Sequence, residues 1–435
     1  MAVLSETEAM LQKSRTAFYD MAALDTAEKN QALLRFADLI EANREFLLQE
    51  NERDLQQASR DQISQSLHQR LKLDAGKLAQ VVQGLRDLAA LADPIGRSLS
   101  KTLLDEGLVL EKITVPLGVI GIIFESRPDV IPQVLSLILK SGNAVILKGG
   151  REARHSNAAF MTLVNELNGA CPRLNPHWAT LVESREAVHD ILHYPQYVDL
   201  IIPRGSNELV QAIMAATRIP VLGHADGICH LYIHSGANLS KAISVVVDAK
   251  AQYPAACNAL ETLLVDSAVA EEFLPVFTHA AQTANITLKG CDRTRQIAKN
   301  ITPATETDWR TEYGDLTLSI KIVDGLEEAI AHINRYGSHH TDAILTTDAT
   351  AIERFMNAVD SACVFANAST RFADGFRFGL GAEVGISTSK THARGPVGLE
   401  GLVSSKYRLT GAYHQVGDYV GENARPFRHV PIDEN

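Results

Sequence analysis

The sequence predicts an α/β fold with two doubly wound α/β domains and a small β-hairpin inserted into the first. Three patterns predict it. Residues 1–92 have the apolar spacing of helices, short apolar strands alternate with helical stretches between residues 117 and 216, and a second alternating series begins at residue 229. A chain of 435 residues is also long enough for two or three domains.

The N-terminal helices and the hairpin come first. The apolar residues with helical spacing are Leu33, Leu34, Phe36, Ala37 and Ile40. A later helix begins after Asp74, a suitable N-cap, and ends near residue 91, before Pro94. Residues 100–104 and 108–115 flank the turn sequence Asp105-Glu106-Gly107 and predict a hairpin, which needs another strand to pair with.

The alternating segments predict two parallel sheets with ligands at the carboxyl ends of the strands. The first series has strands at 118–124, 143–149 and 198–203, followed by helices at 130–140, 153–167 and 208–216. The second series has strands at 229–234, 261–265, 318–323, 342–346 and 363–367. The polar C-terminal tail, ENARPFRHVPIDEN, is expected to be loosely held.

Composition excludes several classes of protein. The 41 Lys and Arg residues against 52 Asp and Glu residues give a net charge of −11, which disfavours nucleic acid and anionic membranes as partners but leaves room for a basic pocket. Five scattered cysteines are too few for a disulfide framework. Neither a signal peptide nor an apolar run of about 20 residues is present, so we expect a cytoplasmic protein.

Cys257 is the candidate nucleophile. It lies in AQYPAACNALETLLV, between a predicted helix and a strand, with Pro254 ending the helix and Asn258 following the thiol. A thiol on such a turn can attack a carbonyl, with the backbone N–H of Cys257 or Asn258 stabilising an oxyanion. A buried, unreactive cysteine is the alternative from this segment alone. We interpret the other four cysteines as structural.

Other candidate sites follow strand ends. Lys148-Gly149-Gly150-Arg151 and Pro203-Arg204-Gly205-Ser206 combine glycine, a cation and a helix start, which suits a phosphate or an ordinary connection. Arg127, in FESRP, suits an acyl or phosphate oxygen or lies on a surface turn. The loop at residues 367–372, NASTRF, suits a carboxylate or is a capped loop. No metal site is expected at His339-His340, because adjacent strand residues point to opposite faces.

Four stretches carry a resemblance to a known family. They are GVIGIIFESRPDV (118–130), YPAACNALETLLV (253–265), EEAIAHINRYGSHHTDAI (327–344) and NASTRFADGFRFGLGAEVGISTSKTHARGPVGLEGL (367–402). With them the whole chain resembles the aldehyde dehydrogenase superfamily and, more narrowly, the γ-glutamyl phosphate reductases (glutamate-5-semialdehyde dehydrogenases) of proline biosynthesis. YPAACNA is similar to the reductase part of bifunctional proline-pathway enzymes, and no kinase-like half precedes it, so we expect the reductase alone.

The resemblance implies an aldehyde-dehydrogenase-like fold and roles for the candidate residues. Cys257 would be the nucleophile, and Asn258 would help to hold the oxyanion. The cofactor would be NADPH or NADP, bound without a GxGxxG fingerprint. Lys148 and Gly149 would lie near the adenosine ribose or its 2′-phosphate, Gly205 and Ser206 near the pyrophosphate, and Glu312 near the nicotinamide ribose. The sequence leaves the choice between NADPH and NADH open.

Two departures from aldehyde-oxidising relatives are informative. Those relatives carry a water-activating glutamate in an ELGGK-like motif, whereas VLGHADGICHLYI (221–233) has none, and Asp226 lies in a different register. Arg127 stands where those relatives have an asparagine, and an arginine suits a phosphoryl group. Both changes favour acyl-phosphate chemistry: reduction of L-glutamyl 5-phosphate to L-glutamate 5-semialdehyde with release of phosphate. Thr370 and Arg371 would bind the substrate carboxylate, and Glu383 its ammonium group.

The resemblance also implies the organisation of the chain. We expect an NADP-binding domain at 1–98 and 116–228, a catalytic domain at 229–400, an oligomerisation flap at 99–115 and 401–420, and a polar tail at 421–435. A homodimer or homotetramer is expected, and a glutamate kinase is a possible partner. Three alternatives stay open: a semialdehyde dehydrogenase making the free acid, a coenzyme-A-acylating enzyme, and an inactive scaffold for a glutamate kinase.

Overall fold

A computed structural model describes residues 5–63, 65–223, 226–299 and 301–432. The α-helices are α1 (Glu6–Ala22), α2 (Thr26–Ala42), α3 (Arg44–Arg60), α4 (Gln65–Leu71), α5 (Ala75–Ala90), α6 (Val130–Lys140), α7 (Arg154–Ala170), α8 (Arg185–Ile191), α9 (Asn207–Ala216), α10 (Leu239–Ala251), α11 (Ala270–Thr283), α12 (Asp292–Ile297), α13 (Leu326–Tyr336) and α14 (Ala349–Ala358). The strands are β1 (Ser98–Asp105), β2 (Leu108–Pro116), β3 (Val119–Phe124), β4 (Ala144–Lys148), β5 (Ala179–Leu181), β6 (Leu200–Arg204), β7 (Cys229–Ile233), β8 (Leu260–Asp266), β9 (Thr287–Gly290), β10 (Thr302–Pro303), β11 (Thr317–Val323), β12 (Thr341–Leu345), β13 (Cys363–Ala366), β14 (Gly385–Ser387), β15 (Gly395–Val397), β16 (Val403–Thr410) and β17 (Val430–Pro431).

Three of the N-terminal helices, α1, α2 and α5, begin at acidic or hydroxyl side-chain caps. The Asp25 carboxylate accepts the Glu28 N–H while the Glu28 side chain accepts the Asp25 N–H, a capping box that fixes the start of α2. Asp74 accepts the Lys77 N–H and starts α5, which confirms the predicted cap. The buried faces of α2 and α5 then pack with α6 and α7 into one core.

The first parallel sheet has the strand order β5-β4-β3-β6, and helices cover both of its faces. Because successive strand residues point to opposite faces, Ile120 and Ile122 of β3 join the core with α2, α5, α6 and α7. Val119 and Ile123 join a second core with residues of α1, α8 and α9. The alternation predicted for residues 117–216 is confirmed, with the short strand β5 added at the sheet edge.

The second parallel sheet has the order β10-β9-β11-β8-β7-β12-β13. Its five predicted strands are confirmed, and the short strands β9 and β10 extend it beyond them. The central strands β7 and β8 are buried over their whole length. Two apolar clusters cover the two faces of this sheet, one with α10 and α11 and the other with α13 and α14. The chain is therefore an α/β protein with two doubly wound sheets, as predicted.

A separate antiparallel sheet with the order β16-β2-β1-β17 contains the predicted hairpin. Strand β16 pairs with β2 from Val403 opposite Pro116 to Thr410 opposite Val109, so the hairpin has the partner it needs. The expectation of a loosely held tail is wrong for residues 428–432, because β17 pairs with β1 and the Arg428 N–H donates to the Leu104 carbonyl at 2.8 Å. No helix among the described residues is long and apolar enough to cross a membrane.

Candidate active site

A cavity of about 530 Å³ lies between the carboxyl ends of β3 and β6 and the loop that precedes β8. Five segments supply most of its wall: residues 125–127, 202–207, 253–258, 312–314 and 371–386. The parallel strands β3 and β6 end at the same edge of their sheet, which is why residues 125–127 and 202–207 meet there although they are distant in sequence. The predicted site residues in this wall are Cys257, Asn258, Arg127, Arg371, Glu383, Gly205, Ser206 and Glu312. Thr370, Lys148 and Gly149 lie outside it.

Cys257 is half-buried on the loop that joins α10 to β8. The loop is a succession of tight turns, because the Ala256 N–H donates to the Tyr253 carbonyl at 3.2 Å and the Ala259 N–H to the Ala256 carbonyl at 2.8 Å. Behind the loop, the Cys229 thiol donates to the Cys257 carbonyl at 3.3 Å. Burial raises the pKa of the Cys229 thiol well above its usual value, so it stays protonated. Cys229 thus has the structural role expected from the sequence.

Gly227 packs directly against the backbone of Cys257. A Cβ atom at position 227 would lie 2.1 Å from the Cys257 carbonyl oxygen and 2.6 Å from its Cα. These distances are far below van der Waals contact, so only glycine fits without moving the nucleophile loop. Sequence reasoning missed Gly227, because the close approach joins two segments about thirty residues apart.

Asn258 is buried beside the thiol and fixed to a neighbouring loop. Its Nδ2 donates to the Ala373 carbonyl at 2.8 Å, just after the 3-10 turn Thr370–Phe372. Its Oδ1 has no hydrogen bond to the part of the chain that the structure describes. The second N–H of the amide remains available for a ligand in the cavity.

Arg371 and Thr370 differ in position although they are adjacent. The Arg371 Nε donates to Gln252 Oε1 at 3.0 Å, and its guanidinium lies 5.8 Å from the centre of the Tyr253 ring, which holds the side chain at the cavity wall. Burial lowers the pKa of Arg371 from its usual value. Thr370 is fully buried, and its hydroxyl has no partner among the described residues.

Arg204 and Glu383 form a charged corner between two segments that lie far apart in the sequence. The Arg204 Nη1 donates to the Glu383 main-chain carbonyl at 3.2 Å. The Glu383 carboxylate accepts the Gly375 N–H at 2.8 Å through Oε2, and burial raises its pKa. Arg204, Glu383 and Arg371 all lie near enough to Cys257 to interact electrostatically with its thiolate. The signal for this corner in the sequence is the position of Arg204, at the end of a strand and next to a glycine.

Gly205 and Ser206 begin α9 at the edge of the cavity. Ser206 is the N-cap of this helix, and its own N–H donates to Glu125 Oε2 at 2.9 Å. A Cβ atom at Gly205 would lie 2.5 Å from the same Glu125 oxygen. Glu125 therefore faces the helix N-terminus, where negative charge is favoured, and it is a wall residue to which the sequence assigned no role.

Lys148 and Gly149 lie at the end of β4, the neighbouring strand. The Lys148 Nζ donates to the Gly149 carbonyl at 2.5 Å. A Cβ atom at Gly149 would lie 2.2 Å from Asn157 Nδ2, so the backbone passes close to α7. The ends of β4 and β6 flank the end of β3 on either side, and this row of loops is where open parallel sheets bind ligands.

Glu312 stands in the wall on a loop held by its neighbours in sequence. The Tyr313 hydroxyl donates to Asp308 Oδ1 at 2.8 Å, and the Gly314 N–H donates to Glu261 Oε1 at 3.3 Å. Lys289 lies 2.6 Å from Asp308 Oδ1. Although burial opposes it, the hydrogen bonds from Lys289 and Thr305 hold the pKa of Asp308 well below its usual value.

Asp226 is the acid nearest to the position of the missing glutamate. Its carboxylate is hydrogen-bonded to the Asn207 side-chain amide. Residues 224 and 225 of the same segment lie outside the described residues. Two features of the wall suit a dinucleotide: Gly205 is too close to its neighbours to carry a side chain, and Glu312 shares the cavity with the thiol.

Comparison with known proteins gives the family. The aldehyde dehydrogenase family model matches residues 2–306. A γ-glutamyl phosphate reductase of Nostoc sp. is 53% identical over 427 residues, covering 98% of each chain. One of Pelotomaculum thermopropionicum is 51% identical over 417 residues, covering 95% of each chain.

Solved structures agree with the sequence relatives. The crystal structure of γ-glutamyl phosphate reductase from Thermotoga maritima is 37% identical, with a TM-score of 0.91 over 94% of this chain and 100% of that one. A glyceraldehyde-3-phosphate dehydrogenase from Methanocaldococcus jannaschii, complexed with NADP, shares the fold at 14% identity, with a TM-score of 0.69 over 95% and 96%. The chain is therefore an oxidoreductase that belongs to the aldehyde dehydrogenase family and, within it, to the γ-glutamyl phosphate reductases.

Proposed function

We propose that this protein reduces L-glutamyl 5-phosphate to L-glutamate 5-semialdehyde with NADPH, releasing phosphate, in proline biosynthesis. Cys257 carries the acyl group as a thioester between the two half-reactions. The observation that supports this best is the composition of one cavity, whose wall contains the thiol, four arginines and Glu312. A doubly charged acyl phosphate needs such a basic wall, whereas a neutral aldehyde does not.

Residues on one side of the cavity fit a nicotinamide dinucleotide. Gly205 and Ser206 would hold its pyrophosphate, Glu312 a ribose hydroxyl near the nicotinamide, and Lys148 with Gly149 the adenosine ribose or its 2′-phosphate. Bound there, the reduced cofactor supplies the hydride. A cation at Lys148 suits the extra phosphate of NADPH, which is why we prefer it to NADH.

The acyl transfer uses the residues around Cys257. The Cys257 thiolate attacks the γ-carbonyl, a C–S bond forms, and the C–O bond to phosphate breaks with its electron pair leaving on the phosphate oxygen. The Asn258 amide and the backbone N–H groups of the loop stabilise the tetrahedral oxyanion. Arg371, next to Thr370, binds the substrate α-carboxylate, and Glu383 faces the α-ammonium group. Arg127 approaches the phosphoryl end.

The thioester must survive until it is reduced. The ELGGK-type glutamate that activates water in aldehyde-oxidising relatives has no counterpart in VLGHADGICHLYI, and Asp226 is engaged by Asn207. Hydrolysis therefore lacks a free general base at that position. The thiohemiacetal that Cys257 carries afterwards collapses, which releases the semialdehyde and restores the thiol. The free semialdehyde is expected to cyclise spontaneously.

The domain assignment and the partners belong to the same proposal. Residues 1–98 and 116–228 form the cofactor domain, 229–400 the catalytic domain, and 99–115 with 401–420 an oligomerisation flap. Residues 421–435 are the polar tail, whose strand β17 pairs with β1 of the flap. Exposed apolar side chains on the flap sheet, among them Tyr407 and Leu409, support a homodimer or homotetramer. An acyl phosphate is short-lived in water, which favours a cytoplasmic complex with the glutamate kinase that makes it.

The reverse reaction tests the function. Purified protein receives glutamate semialdehyde and NADP⁺, and NADPH formation is followed with and without inorganic phosphate, beside Cys257→Ala. Turnover that needs both phosphate and Cys257 is the expected result. Turnover without phosphate would mean that water reaches the thioester and would assign an aldehyde oxidiser instead. No turnover under either condition would favour the scaffold alternative, and stimulation only by coenzyme A would favour an acylating enzyme.

A further inference from the structure

Two arginines from neighbouring strands meet in the cavity wall. Arg204 is the last residue of β6, and Arg127 lies three residues beyond the end of β3. Phe124 is the register partner of Arg204, and the Glu125 N–H donates to the Arg204 carbonyl at 3.1 Å. The two side chains are therefore brought together by the pairing of their strands, not by closeness in sequence. Burial, and next to it repulsion by Arg127, lowers the pKa of Arg204.

Neither guanidinium forms a direct ion pair with a carboxylate, although Glu383 and Asp129 lie near enough to Arg204 to interact with its charge. In the ranges that the structure describes, no Asp or Glu oxygen lies within 4.0 Å of a guanidinium nitrogen of Arg127 or Arg204. Arg204 donates to a neutral acceptor, the Glu383 main-chain carbonyl. Placing like charges beside each other is unfavourable unless an anion compensates them. The wall at this corner is thus prepared for an anion from the cavity.

The other charged groups divide the cavity into separate corners. Arg371 is held on the opposite loop by Gln252 and Tyr253. Glu125 lies at the start of α9, bonded to the Ser206 N–H. Glu383 keeps Oε2 on the Gly375 N–H. An anion between Arg127 and Arg204 would therefore be distinct from the substrate carboxylate at Arg371.

The chemistry of an acyl phosphate identifies this anion. One oxygen atom separates its phosphorus from the carbonyl carbon that a thiolate attacks, so the phosphoryl group must lie beside Cys257. Arg204 and Cys257 line the same cavity, near enough for their charges to interact. We propose that Arg204, together with Arg127, forms the site for the phosphoryl group of the acyl phosphate and for the inorganic phosphate released from it. This inference rests on the proposed function.

The pair would act on the leaving group. When the C–O bond breaks, its electron pair stays on the phosphate oxygen, and the negative charge there grows. Two guanidinium groups with N–H donors directed at the phosphate oxygens stabilise that charge more than the charge of the ground state. In the reverse direction the same site binds inorganic phosphate for attack on the thioester. Arg204 would thus determine specificity for phosphate over water as the acyl acceptor.

The test compares Arg204→Gln and Arg204→Lys with the wild type in the reverse reaction, with phosphate and NADP⁺ varied separately. For Arg204→Gln we expect the KM for phosphate to rise at least tenfold while the KM for NADP⁺ stays within twofold, and for Arg204→Lys an intermediate rise. Arg354→Gln is the control, because that arginine is paired with Glu327 on the surface, 2.8 Å from its Oε1. It should match the wild type.

Other outcomes overturn the inference in distinguishable ways. If turnover by the wild type does not depend on phosphate, the proposed function itself is overturned. If the wild type needs phosphate but Arg204→Gln has an unchanged KM for phosphate, only the phosphate site is overturned. If Arg204→Gln raises the KM for NADP⁺ as much as the KM for phosphate, Arg204 is assigned to the cofactor pyrophosphate instead. Should Arg204→Gln fail to fold by circular dichroism, Arg127→Gln tests the same site, since Arg127 is half-exposed on a loop.

Discussion

The Lys250 ammonium lies 2.7 Å from Glu261 Oε2, and both side chains are fully buried. Lys250 stands near the end of α10 and Glu261 near the start of β8, so the pair closes the loop that carries Cys257. The second oxygen of Glu261 accepts the Gly314 N–H at 3.3 Å, next to Glu312. One ion pair therefore connects the nucleophile loop with the loop expected at the nicotinamide ribose.

We expect the double variant Lys250→Met/Glu261→Leu to fold with a Tm near that of the wild type but to bind the cofactor poorly. Replacing both partners of a buried pair by apolar residues is often neutral, whereas the single change Glu261→Leu leaves a buried cation and costs about 3–5 kcal/mol of unfolding free energy. The double variant still removes the acceptor of the Gly314 N–H. Its KM for NADPH should rise, by about tenfold for one lost charged hydrogen bond.

Thermal unfolding and steady-state kinetics check this prediction. Lys289→Met/Asp308→Leu is a useful comparison, since that pair contacts the same loop through Tyr313 but does not border the Cys257 loop. It should raise the KM for NADPH while leaving the alkylation rate of Cys257 unchanged. An unaltered KM in the Lys250/Glu261 double variant would show that the pair does not position Glu312.

Gly227→Ala should lower kcat by about a hundredfold, because displacing a reacting group by about 1 Å has an effect of that size. The new methyl group would collide with the backbone of Cys257, 2.1 Å from its carbonyl oxygen. Gly223→Ala is the matched control, since its Cβ would lie 3.4 Å from the Pro203 ring, an ordinary contact. Equal activity of both variants in the forward assay would mean that the loop around Cys257 adjusts without cost.

Much of the fold follows from local pattern, and most of the site does not. Apolar runs predicted β3, β4 and β6 because each is buried on both faces, and Asp74 marked a helix start because its cap is local. The strands β9, β10 and β17 are too short to leave a pattern. The proximity of Arg204 and Arg127 depends on which strands pair, and the contact between Gly227 and Cys257 depends on how two loops pack. Neither has a signature along the chain.

Acid should destabilise the protein partly through Asp308. Its pKa is lowered in the folded state by Lys289 and Thr305 against the effect of burial. A lowered folded-state pKa contributes stability above the ordinary value of 3.8, and this contribution is lost as the pH falls through the folded-state value. Asp308→Asn should therefore unfold more easily than the wild type at pH 7 and lose less stability on acidification. Urea unfolding at pH 7 and pH 3 measures the difference, and parallel losses in the two proteins would contradict it.

The flap sheet should form the subunit interface. Tyr407 and Leu409 of β16 are 64% and 60% exposed in the single chain, an unusual position for two large apolar residues on one strand. Tyr407→Lys/Leu409→Lys should shift the protein to a smaller species in light scattering coupled to gel filtration. Tyr19→Lys, at an equally exposed tyrosine of α1, is the control. An unchanged mass for the flap variant would mean that these side chains do not contribute to an interface.

Two variants distinguish substrate binding by Arg371 from the structural contact that Arg371 makes with Gln252. Arg371→Gln should raise the KM for glutamate semialdehyde by about tenfold to a hundredfold, the range for one lost hydrogen bond between charged groups. The variant also loses the 3.0 Å contact with Gln252, so Gln252→Ala serves as the control for that loss alone. If the carboxylate binds at Arg371, Gln252→Ala changes the KM far less, and Arg371→Lys restores part of the affinity. Equal effects of Arg371→Gln and Gln252→Ala would instead give Arg371 a purely structural role, holding the loop that accepts the Asn258 amide at the Ala373 carbonyl.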